Sequence, residues 1–334
     1  MATEAERPPM DADAYLRLLG REREPAALDT LRLAMNTATE RMSKRRGIAD
    51  EVAASWHTGW DYWEAVTFAL EQNGLHLLKR TGVDDDHSKM RDALSLLHSS
   101  ATLTFHEIGA LLKAGLWAGA AARWRALHEV TVTAAVIAAA GVPTAERYLD
   151  HGFVVQTRRL SEYMETHGRG PVPPAELAVR TQQSEELSAR HTDPDAGVNF
   201  HGLYGWAAHL MRFGKKGKRI PPTFIELEKL AGLEDLRLLV GSAHGLVHND
   251  SGGVLTAVVV ESERWAMGPV PSFTATVARP ALITIQHSVT ATHGGFEPEL
   301  NAFAQVIGLM GVAAMELAAQ GAASFERPSQ APTT

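Results

Sequence analysis

The sequence predicts a mainly α-helical protein, a multi-helix bundle-like domain with a short strand pair near 253–270. Three observations point there. Apolar residues recur at helical spacing along most of the chain, and glycine and proline mark the breaks. The tract Ala114 to Ala140, AGLWAGAAARWRALHEVTVTAAVIAAA, reads as a helix apolar enough to lie inside its domain. VLTAVVV, which follows a turn at NDSGG, is strand-like in composition, although periodicity over so few residues also fits a buried helical piece.

The elements follow in order. Residues 1–24 read as an N-terminal extension with a short helix over Asp11–Arg23. Residues 25–321 read as a mostly helical core, with 168–174 as the candidate subdivision, and 322–334 as a flexible tail. Pro25 suits the first position of a helix reaching Arg46, where a missing N–H is harmless. A long helical stretch, Ala49–Arg80, follows, and Gly59 and Gly74 are expected to divide or bend it. Its Trp56, Trp60 and Trp63 approximate an i, i+4, i+7 stripe, the pattern of core or dimer-interface packing. Helices are then predicted over Asp86–Lys113, the apolar tract to Ala140, Thr144–Thr166 and Pro174–Ala189. The loop HTDPDAGVNF leads to a helix over Phe200–Phe213 capped by Asn199. Pro222–Leu230, Leu233–His248, Phe273–His293 and Pro298–Ala318 complete the set.

Composition narrows the function. The chain has 334 residues, 45% of them hydrophobic, enough to bury a substantial core. It has no cysteine, which excludes disulfides, thiolate nucleophiles and cysteine-based zinc or iron–sulfur sites and fits a reducing cytoplasm. The N-terminus lacks a basic stretch followed by an apolar run, and Ala126–Ala140 is short of a membrane span, so a cytoplasmic protein without membrane contact is expected. A net charge of -7 disfavours a general nucleic-acid coat and makes DNA a poor partner. Phosphate-binding GxxxxGK[ST], GxGxxG and GxSxG patterns are missing, so no cofactor is expected.

The charged residues of the apolar helix are the first candidates. Its only ionisable side chains are Arg123, Arg125, His128 and Glu129, and buried charge requires partners. On an ideal helix Arg125 and Glu129 are about 40° apart and His128 about 60° to the other side, so the three share a face. Arg123 points about 160° away from Arg125. The structural interpretation is an Arg125–Glu129 pair joined by a hydrogen-bonded His128; the catalytic one makes His128 an acid or base with an arginine holding an anion. His244 and His248 in LVGSAHGLVHND share one helix face at i, i+4, a metal-capable pair without a third ligand, and no metal site is assigned to them. Tyr204 and Trp206 precede a basic tract with Lys215, Lys216 and Arg219, and together these could line a surface for RNA or another anionic ligand.

Arg125, Glu129, Tyr204 and Trp206, followed by FIELEKLAGLEDLRLLVGSAHGLVH ending in His248, resemble a large bacterial helical family of unassigned function, over roughly 90–260. A second resemblance is to the HEPN superfamily, whose signature is an arginine, four to six residues and a histidine. RWRALH matches it through Arg123 and His128, although Trp124 stands where a polar residue is usual. That resemblance implies a metal-independent endoribonuclease, completed in a homodimer.

Three functions are therefore in play. One is a HEPN-type endoribonuclease, with Arg123, Arg125, His128, Glu129 and His248 as catalytic candidates. Another is a non-catalytic ligand- or protein-binding helical domain with a structural Arg125–Glu129 network. The third is a metal-dependent hydrolase using His244 and His248. Tyr204, Trp206, His244, Lys215, Lys216 and Arg219 are the ligand-binding candidates.

Overall fold

The computed structural model describes residues 57–79, 81, 86–168, 170–214, 217–237, 259–261, 264–266 and 274–293, with Leu33, Gly47, Asp50 and Val312 as isolated positions. Among them the helices are α1 (His57–Leu78), α2 (Ser88–Lys113), α3 (Trp117–Ala140), α4 (Val142–His167), α5 (Pro174–His191), α6 (Phe224–Ala231) and α7 (Thr274–His293). A 3-10 turn covers Gly205–Leu210 and a shorter one Glu234–Leu236. Strands β1 (Val259–Glu261) and β2 (Arg264–Ala266) pair antiparallel, with Val260 opposite Trp265. The fold is a helical bundle, as the sequence predicts.

The central hairpin is α2 and α3. Gly115 adopts φ 71°, the left-handed conformation that glycine enters without a Cβ penalty. Its N–H donates to the Leu112 carbonyl at 2.9 Å and the Leu116 N–H to the Leu111 carbonyl at 2.8 Å, the paired bonds of a Schellman helix end. The chain therefore reverses within Ala114–Leu116, and α3 returns along α2.

Two apolar clusters flank this hairpin. In the first, α1, the C-terminal half of α2, the N-terminal half of α3 and α7 bury Trp63, Phe105, Ile108, Trp124, Leu127 and Ile285. Trp63 stacks on Phe105 with ring centroids 4.1 Å apart, so this tryptophan, like the buried Trp60, is a core residue. The second cluster joins the other halves of α2 and α3 to α4, the 3-10 turn and α6 through Leu94, Ile137, Phe200, Trp206, Met211 and Leu227. His128 follows Leu127 at the seam between them.

Several elements depart from the sequence expectation. Helix α1 runs unbroken through Gly59 and Gly74. Phe200–Phe213 is a tight turn and the 3-10 segment rather than an α-helix. A Cβ on Gly205 would stand 2.1 Å from the Phe200 carbonyl oxygen, a chain reversal tighter than helix geometry. Asn199 Oδ1 accepts the His201 N–H at 3.0 Å, so it organises a turn two residues long. Phe213 then pairs with Arg219 in an isolated β-bridge. The helix expected from Leu233 starts as the 3-10 turn Glu234–Leu236, and 238–248 lies outside the described residues. So do Asp11–Arg23, Trp56 and, apart from Val312, the stretch Pro298–Ala318.

Candidate functional site

The charges of α3 leave the helix in two directions. Arg123 turns to α2, where it forms an ion pair with Glu107 and donates from Nη2 to Thr104 Oγ1 at 3.3 Å. Arg125 stays on its own helix and pairs through Nη2 with Glu129 Oε1 at 2.9 Å; both side chains are part-exposed. His128 points into the bundle and is wholly buried. Its Nε2 donates to Glu228 Oε1 on α6 at 2.9 Å, since a carboxylate only accepts. Arg237 binds the other oxygen of Glu228 from the segment beyond α6. Arg123 and His128, which share the nuclease-like spacing, are thus directed to different helices.

Glu228 is 1% exposed, so its charge needs compensation in place. Arg237 supplies the countercharge and His128 a hydrogen bond. Burial lowers the His128 pKa, opposed by the hydrogen bond and charge of Glu228 and by Glu129, while His287 on α7 lowers it further. The ring is packed between Trp124 and the edge of Phe224, whose centroid is 5.7 Å away. Its Nδ1 is buried without a hydrogen-bond partner. An imidazole buried in this way orients the Glu228 carboxylate.

Tyr204 adjoins the same flank of α3. Its ring lies 6.2 Å from that of Phe224 and it is half-buried. Burial raises its phenol pKa, Glu129 and Glu228 raise it further, and Arg125 opposes them. The part-exposed edge therefore comprises Arg125, Glu129 and Tyr204, which stands within electrostatic reach of both, backed by the buried His128–Glu228 pair and the part-exposed Arg237. Trp206 does not share this edge. It is buried, with its ring against the edge of Tyr148 at 5.4 Å. Arg219 donates to the Met211 carbonyl and covers the Phe213 ring at 4.5 Å, which makes it a fastening of its own turn. Lys215, Lys216, His244 and His248 lie outside the described residues. Among the described residues no group of three or more His, Asp or Glu is placed to hold a metal ion, and no helix is long and apolar enough to cross a membrane.

Glu228 and Arg237 are the functional residues that sequence reasoning missed. A signal existed for Glu228: Phe224, Leu227, Glu228 and Ala231 fall at i, i+3, i+4 and i+7, which puts a carboxylate on the apolar stripe of α6. Its partner was unreadable, because His128 lies 100 positions away in the chain.

The residues of this flank fall within a stretch, 91–264, that matches one family profile and covers more than half of the chain. The chain belongs to a family of unknown function (DUF5677). No curated protein and no solved structure gives a match. Membership spans α2 to β2 and so includes both the edge and the residues behind it.

Proposed function

We propose that the chain is a helical binding domain that receives an anionic ligand at the Arg125–Glu129–Tyr204 edge, without catalysis by His128. The observation that carries this reading is the complete burial of His128 and its engagement by Glu228. An acid–base group must come within hydrogen-bond reach of the proton it moves. His128 is instead a positioning residue, holding Glu228 and α6 against α3. At the edge, Glu129 pairs with the Arg125 guanidinium, whose planar fork matches the geometry of a phosphate or carboxylate. Glu129 is an acceptor beside that cation, and Tyr204 a neutral donor at ordinary pH. The edge therefore suits an anion that carries a neighbouring hydroxyl, as a ribose phosphate does.

The test titrates inorganic phosphate and a short, terminally phosphorylated oligoribonucleotide into the wild-type chain and Arg125→Ala, and follows the RNA by gel. Saturable binding of the oligoribonucleotide, intact after incubation and weakened about tenfold or more in Arg125→Ala, is the expected result. Cleavage by the wild type that disappears in a folded His128→Gln would overturn it in favour of a ribonuclease. Absence of binding to either probe would also overturn it.

A further inference from the structure

We infer that Arg147 is a positioning residue that sets Tyr204 at the ligand edge, an inference that rests on the binding function proposed for that edge. Tyr204 sits in a segment with little regular structure of its own. It directly precedes a six-residue 3-10 turn, whose hydrogen-bond geometry is poorer than that of an α-helix. Something outside the segment must fix where the phenol stands.

Helix α4 does this at three points. Thr144, Arg147 and His151 are spaced at i, i+3 and i+7, so they present one face. His151 Nε2 donates to the Gly202 carbonyl at 2.9 Å, two residues before Tyr204. Arg147 Nε donates to the Trp206 carbonyl at 3.1 Å, two residues after it. Thr144 Oγ1 lies 3.1 Å from His209 Nε2 at the end of the turn. The tyrosine is bracketed on both sides.

Arg147 is the member that links this bracket to the rest of the fold. Its Nη2 donates to the His191 carbonyl at 3.0 Å, its Nη1 to His191 Nδ1 at 3.2 Å, and its guanidinium lies 5.3 Å over the Phe200 ring. With Nδ1 accepting, His191 carries its proton on Nε2, which donates to Asp150 Oδ2 at 2.7 Å. One planar fork thus ties the end of α5 and the tyrosine-bearing turn to α4. A lysine, with a single nitrogen, cannot span these acceptors.

The experiment places 3-fluorotyrosine at position 204 in the full chain and records its fluorine resonance and phenol titration in wild type, Arg147→Lys, Arg147→Gln and His151→Asn. Exposed Tyr163, labelled separately, is the control. In the arginine variants the position-204 resonance should move and its titration fall toward that of a free phenol, with the Tyr163 signal unchanged. Affinity for the oligoribonucleotide should fall about tenfold, the size of one lost charge-assisted hydrogen bond. A position-204 signal identical to wild type in folded Arg147→Lys would overturn the inference. Should both arginine variants fail to fold, an unshifted signal in His151→Asn would overturn it and a shifted one would support the bracket. Failure of the wild type to bind the probe defeats the binding function alone, because the fluorine signature reads Arg147 independently.

Discussion

The α3–α6 flank and the α4–α5 junction each hold a linked trio of carboxylate, histidine and arginine, but in a different order. At α3–α6 the carboxylate is central: Glu228 receives His128 on one oxygen and Arg237 on the other. At α4–α5 the histidine is central: His191 accepts from Arg147 and donates to Asp150. The middle member decides how each trio fails. Loss of Glu228 leaves the buried imidazole without its acceptor and the part-exposed Arg237 without its carboxylate. A proton added to His191 Nδ1 removes the acceptor that Arg147 uses. The same three side-chain types can therefore lock two helices or hold a turn in place, according to connectivity.

The largest effect should come from the central carboxylate. Glu228→Ala is expected to cost about 3 kcal/mol, since it leaves the buried His128 N–H without its acceptor and opens a cavity beside it. Denaturant unfolding would measure it, and a loss under about 1 kcal/mol would show that water replaces the lost acceptor of His128. A third buried polar group, without a carboxylate, sharpens the contrast. His98 Nε2 donates to the Leu70 carbonyl at 3.0 Å, and Asn73 stands between His98 and His293. Burial lowers the His98 pKa from 6.5 to about 4. The unfolded chain then binds the extra proton between those values, so this contribution is full above pH 6.5 and is lost as pH falls toward 4. The loss is about 3 kcal/mol, visible as a melting temperature that drops below pH 6.5 and drops less steeply in His98→Gln.

Asp150→Asn tests the other trio more gently. It keeps the shape but removes the charge that fixes the His191 tautomer, and should cost about 1–2 kcal/mol in thermal unfolding. Arg125→Ala should be smallest in stability, within about 1 kcal/mol, because the Arg125–Glu129 pair is part-exposed. It should still be the most damaging of these substitutions to anion binding. A variant that lost stability and kept binding would erase the distinction between edge and interior.

How much of this was legible depended on sequence distance. Helical periodicity made the bundle readable, and the i, i+4 spacing of Arg125 and Glu129 anticipated the 2.9 Å pair. The opposite direction of Arg123 also followed from helix geometry. The His128–Glu228 contact did not, because one-dimensional spacing carries no information on which helices become neighbours. The Tyr204 turn was hidden for a local reason. Tyr204, Trp206 and their neighbours have helix-compatible composition, and the close approach of Gly205 to Phe200 is a backbone event that composition does not encode. Arg147, Asp150 and His191 form no motif along the chain, yet they converge where α4 and α5 pack together.

The short reversal at Ala114–Leu116 bears on how the chain reaches this arrangement. Closing a connection so brief costs little loop entropy, so α2 and α3 can meet before distant segments are ordered. Both apolar clusters draw on that pair, which gives α1, α4, α6 and α7 an existing surface to dock against, while α5 packs on α4. The contact between His128 and Glu228 closes a loop of 100 positions, so it is expected to form after that pair.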